Sequence, residues 1–188
     1  MTTVTGVEHR RWLVLLVRMP SDPARHRMAA WRELRRSGAL LLGPSAWAVP
    51  EVPVATEVIE RIGQIVATAQ GSLITLAARG YAGADAERLE LLYTAAREEE
   101  WSEFLADCGK YLAELAREEA LGKYTLAELE EEEQSLDRLR RWYREVRGRD
   151  LLGAATTDTA TAELKRCAET FELYAEHVYT ALNSSDAP

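Results

Sequence analysis

The sequence predicts an α+β protein, with a ferredoxin-like βαββαβ unit followed by a helical extension of three long helices. Two observations carry this prediction. Up to about residue 80, short apolar runs alternate with segments of helical period, and glycine or proline marks most of the seams. After "GYAGAD" the chain turns to long segments of helical period, with no further strand-like run.

Each element follows from local chemistry. "WLVLLVRM" (12–19) is apolar, short and closed by Pro20, which reads as a buried strand. In "SDPARHRMAAWRELRRSG", Asp22 can cap orphan backbone N–H groups, Pro23 suits the first helical position, and Gly38 suits the terminus. "ALLLGPSAWAVP" (39–50) reads as two short strands joined through Gly43, Pro44 and Ser45. In residues 54–71, Val58, Ile62, Ile65 and Val66 fall at helical spacing and Gly71 ends the helix. "SLITLAARG" (72–80) is the fourth strand, so two helices should cover one face of an antiparallel sheet.

The first long helix is expected from about Ala84 to Leu121, with Gly122 as its stop. The second opens at Thr125, whose spacing to Glu128 is that of a capping box, and runs to about Arg147. A third spans about Thr159 to Leu182. The expected organisation is therefore an α/β unit over 8–82, a helical extension over 84–183 and a frayed tail at 184–188.

With 47% hydrophobic and 29% charged residues, the 188-residue chain can bury a core. No apolar run is long enough to span a membrane, and "MTTVTGVEHRRW" lacks the apolar stretch of a signal peptide. Cys108 and Cys167 match no metal-ligand spacing, so they are expected to be structural thiols of a cytoplasmic protein. There is no P-loop, Gly-x-Gly-x-x-Gly, Gly-x-Ser-x-Gly or Cys-x-x-Cys, and His9, His26 and His177 form no triad with a Ser or Cys nucleophile. The expectation is a non-enzymatic protein without a cofactor.

Charge is the most informative feature. The net charge is −8, yet residues 1–84 carry ten Lys and Arg against six Asp and Glu. Six of those arginines lie between Arg18 and Gly38. On a helical wheel Arg25, Arg32 and Arg36 form one ridge, which Arg18 can join from the end of the strand. Such a ridge suits DNA phosphate or an oxyanion, because guanidinium offers a bidentate donor fork. The competing reading is intramolecular pairing with the acidic helices. Ala24, Met28, Trp31 and Leu34 form the apolar stripe of this helix, and Arg27 falls between Trp31 and Leu34 as an inward anchor. Trp12, Trp31 and Trp47 are expected to meet between helix and sheet. A protein partner or a second copy, docked on sheet edges or long helices, is the other class of partner.

Three carboxylates fall on inward faces of the long helices: Glu100 with Asp107 beside it, and Glu132. They could hold a metal as in helix-bundle carboxylate sites, which would make the alternative a metal- or cofactor-dependent enzyme, or pair with Arg97, Arg140 or Arg27. No Glu-x-x-His occurs, so buried ion pairing is the simpler expectation. The run "LEEEEQ" reads as a solvated helix face.

The stretch "WLVLLVRMPSDPARHRMAAWRELRRSGALLLGPSAWAVPE" resembles the opening of the ChrB proteins, regulators of chromate resistance. The shared pattern is a strand, a proline, a helix with R-x-x-x-W-R-x-L and an apolar hairpin ending in Pro. "AAREEEWSEFLADC" and "GKYTLAELEEEEQSLDRLRRWYREVRGRDLLGA" fit the same amino-terminal domain, so the resemblance covers about residues 10–185. It implies a ferredoxin-like unit with a helical extension, in proteins that respond to chromate and control an efflux operon. Arg27, Trp31 and Arg32 occupy the R-x-x-x-W-R positions. A full ChrB carries a further carboxy-terminal domain to which the resemblance does not extend. The basic helix is flanked by strands and so is not the recognition helix of a helix-turn-helix.

Overall fold

The computed structural model describes residues 10–22 and 24–185. His9, Pro23 and the opening stretch "MTTVTGVEH" discussed above lie outside the described residues, as does the end of the expected tail. The elements are β1 (Trp12–Arg18), α1 (Ala24–Arg36), β2 (Leu40–Gly43), β3 (Ala46–Pro50), α2 (Ala55–Thr68), β4 (Ser72–Ala78), α3 (Gly83–Leu121), α4 (Leu126–Arg149) and α5 (Thr157–Ser185). The predicted α+β class holds: the sheet is antiparallel with order β2-β3-β1-β4, the ferredoxin-like arrangement, and three long helices follow. None of the described helices is long and apolar enough to cross a membrane.

The chain forms two compact units. One comprises Met1–Arg97 with Gly148–Leu152, the other Glu98–Arg147 with Gly153–Pro188. The border thus falls inside α3, because the first turns of that helix pack on the sheet.

In the first unit, side-chain alternation along β1 sorts the core onto two faces. Leu15 and Val17 join Trp47 and Val49 of β3 against Leu34 of α1 and Val58, Ile62 and Val66 of α2. Burial of each such side chain stabilises the fold by roughly 1.5–3 kcal/mol. Trp12 points to the opposite face, where it packs with Ala48 and meets Tyr93 of α3 edge-on at 5.5 Å. Leu15 pairs with Trp47, so Trp47 and Trp12 sit on opposite sides of the sheet. The three tryptophans therefore do not meet, and Trp31 is 45% exposed.

Helix α1 is turned from its expected phase. Ala30, Glu33 and Leu34 are its buried residues, while Met28 and Trp31 are exposed. Glu33 can face inward because it accepts from Arg36 at 2.8 Å and Arg61 of α2 at 3.1 Å. Two guanidinium partners make a buried carboxylate tolerable.

Two helix ends show how close packing sets glycine use. Gly38, after α1, has φ +77°, and a Cβ there would lie 2.3 Å from the Arg149 carbonyl oxygen. After α2 the left-handed residue is Gln70 (φ 54°), not Gly71. Gly71 is required for a different reason: a Cβ would lie 2.5 Å from the Arg18 carbonyl oxygen.

In the second unit, Trp101, Phe104, Cys108 and Leu115 of α3 pack with Leu136 and Val146 of α4 and Cys167, Tyr174 and Val178 of α5. Gly122 (φ 65°) ends α3 as expected. Thr125 Oγ1 accepts from the Glu128 backbone N–H at 3.3 Å, half of the predicted capping box. The other half is missing, because the Glu128 carboxylate takes Lys123 at 3.3 Å instead. Helix α5 continues to Ser185, with Ser184 Oγ bonded to the Thr180 carbonyl at 2.8 Å, so the chain is still helical where fraying was expected.

Candidate functional site

Arg18 ends β1 and is exposed, as are Arg25, Arg27, Arg32 and Arg36 on α1. Their environments separate them. Arg36 is committed to Glu33 of its own helix, so the intramolecular partner of the ridge is a neighbour rather than the acidic long helices. Arg32 Nε donates to the Met28 carbonyl at 3.2 Å, which leaves its two terminal nitrogens available. Among the described residues, Arg18, Arg25 and Arg32 make no ion pair.

Arg27 is not inward. It is exposed, and its Nη1 donates to the carbonyls of Pro20 (3.3 Å) and Ser21, tying the β1–α1 loop to the helix. It keeps an anchoring role, but toward backbone rather than core. Trp31, whose ring lies 5.6 Å from the Arg35 guanidinium carbon, borders an open cleft of about 490 Å³. The buried Val17, Leu34 and Trp47 line this cleft together with Arg27, Met28 and Trp31. An apolar hollow edged by the Arg27 guanidinium suits an anionic group carried on an apolar body.

The inward carboxylates also separate. Asp107 and Glu132 line one open cleft of about 760 Å³ between α3 and α4, and Glu100, half-buried, does not. Asp107 is held by Lys110 at 2.6 Å. Glu132 is 4% exposed, and its carboxyl is pushed up to about 7, first by burial and then by Glu114, Glu131, Glu118 and Glu128. Arg140 pairs with Asp137 at 3.1 Å and Arg97 donates to the Gly38 carbonyl at 3.3 Å. Among the described residues no three His, Cys, Asp or Glu side chains are grouped to hold a metal ion.

Sequence reasoning missed two clusters. Glu118, 1% exposed, is held by Arg117 at 2.8 Å and Lys123 at 2.9 Å beside the α3–α4 turn. Its signal was one of charge order, a carboxylate one residue after an arginine and five before a lysine. Cys108 and Cys167, far apart in sequence, are neighbours in the core, with Cys167 Sγ donating to the Cys108 carbonyl at 3.8 Å. The thiol–thiol hydrogen bond and then burial push the Cys108 thiol up, so it stays protonated at neutral pH.

A sequence model for the amino-terminal region of protein ChrB matches residues 27–185. No curated protein and no solved structure shows a significant match to the chain. The matched span includes α1 from Arg27 onward with its R-x-x-x-W-R positions, the whole hairpin and all three long helices. The chain belongs to the ChrB amino-terminal domain family, a membership that points to a regulatory protein linked to chromate resistance.

Proposed function

We propose that this regulatory protein acts by binding an anionic partner, the phosphate backbone of DNA or an oxyanion, through Arg18, Arg25 and Arg32. One observation carries the reading: these three guanidinium groups are exposed and without ion pairs among the described residues, on a chain of net charge −8. An acidic protein has carboxylates to spare for intramolecular pairing, and Arg36 beside them is paired. Arg27 and Trp31 contribute by holding the loop and by edging the cleft. The role is one of binding rather than catalysis.

For a phosphate partner, three arginines give a log–log salt dependence of about −2.7, at ~0.9 for each phosphate neutralised. Mobility-shift titration on the protein's own promoter at two salt concentrations tests this. Replacing Arg25 and Arg32 by Ala should reduce the slope by about two such increments. If the protein binds neither promoter DNA at low salt nor chromate in a parallel calorimetric titration, the reading fails.

A second reading, a module that docks a second copy, is favoured by β4. This edge strand exposes Ile74 (52%) and Leu76 (49%) beside Leu16 and Val14 of β1. Light scattering separates the two. Loss of a dimer on Ile74→Asp with anion binding intact assigns assembly to the sheet, and loss on the arginine changes assigns it to the ridge.

A further inference from the structure

The cleft between α3 and α4 contains a carboxylate that the proposed anion-binding role leaves without use. Glu132 is 4% exposed and lines the cleft, and no hydrogen bond or ion pair reaches its carboxylate among the described residues. Four of the other cleft carboxylates are already paired. Lys110 holds Asp107, Arg117 holds Glu114 and Glu118, and Lys123 holds Glu118 and Glu128. Arg138 is exposed and donates to Ser135 Oγ at 3.0 Å. A buried carboxylate left alone is costly, and a cation with hydrogen-bond donors removes that cost. The same cleft presents Trp142, Tyr111 and Leu139, a surface for an aliphatic stem and for a cation over an aromatic face.

We infer that this cleft binds a primary ammonium group on an aliphatic stem, as an alkyl diamine or polyamine presents it, with Glu132 as the anchoring carboxylate. A hard divalent ion fits poorly, because it needs several oxygen ligands at once. Here Asp107, Glu114, Glu118 and Glu128 are held by lysine and arginine, and no metal-competent group of three exists among the described residues. An ammonium needs one carboxylate and supplies three donors. The exposed Glu131, on the cleft wall without an ion pair among the described residues, is the counter-charge for a second ammonium.

Calorimetric titration of the full chain with putrescine and with spermidine, in physiological salt above pH 7, tests the inference. Saturable one-to-one binding is expected, weakened about tenfold or more in Glu132→Gln, where the charge-assisted hydrogen bond is lost. Glu133→Gln removes the same charge from an exposed position outside the cleft and should leave the affinity unchanged. The wild-type protein offers a readout that needs no variant: affinity should fall roughly tenfold for each pH unit below about 7, as the anchor takes up its proton. The inference is overturned by no saturable binding, by equal loss in both variants, or by displacement with magnesium at matched ionic strength. The last two would show only attraction to an acidic surface.

Discussion

Glu132→Gln should stabilise the protein at neutral pH and above, and the size of the gain follows from the carboxyl's surroundings. Burial and four nearby carboxylates move the group from its ordinary 4.5 to about 7. At ~1.4 kcal/mol per pH unit, that displacement sets a ceiling of about 3 kcal/mol. Water enters the open cleft and screens the neighbouring charges, so the expected effect is about 1–2 kcal/mol. The sign is set by proton binding. Between about 4.5 and about 7 the folded state holds this proton and the unfolded state releases it. The favourable contribution is therefore full below 4.5 and lost as pH rises through 7. Urea denaturation of both proteins across this range, without polyamine, measures the difference. It should open as pH rises from 4.5 and level off above 7, with the variant the more stable. A difference that does not change with pH, or a wild type that is the more stable above 7, would refute the account of Glu132.

Three further outcomes test the packing. Gly38→Ala should lower stability by about 3 kcal/mol in chemical denaturation, since it combines a left-handed backbone with a Cβ 2.3 Å from the Arg149 carbonyl oxygen. Gln70→Gly should raise the stability measured in the same way by ~0.5–1 kcal/mol, because φ 54° is free of steric penalty only for glycine. Cys108 and Cys167 should resist a thiol reagent in the native protein and react in full under denaturant, as both are fully buried; rapid native labelling would contradict their placement.

What was legible in the sequence is what local chemistry decides. Pro20, Gly122 and Thr125 act within a few residues of themselves, so the elements and their order could be read directly. Glu132 could be placed inward because α4 has one apolar stripe, Leu129, Leu136, Leu139, Tyr143 and Val146, which the structure buries except for the half-buried Tyr143. Helix α1 offered no such certainty, since it carries two candidate faces. Met28 and Trp31 make the more hydrophobic one, but they border an open cleft. The face that packs includes a glutamate beside Ala30 and Leu34, and Arg61, 28 residues away, comes to meet it. The meeting of Cys108 with Cys167 likewise depends on how α3 and α5 dock, which no local signal encodes.

Glu33 consequently controls how much positive charge α1 presents, and its removal separates stability from binding. In Glu33→Gln the side chain keeps its size, but Arg36 loses its carboxylate and Arg61 keeps only the longer contact to Glu57 at 3.9 Å. Both guanidinium groups are well exposed, at 68% and 45%, so the lost pairing costs about 1 kcal/mol at most. Meanwhile Arg36 becomes available to join Arg18, Arg25 and Arg32. On the phosphate-binding reading, the salt slope should steepen by ~0.9 for the added contact, and affinity at low salt should rise although the protein melts earlier. A variant that loses stability with an unchanged slope would show that Arg36 faces no phosphate, leaving a ridge of three arginines and a glutamate whose function is to join α1 to α2.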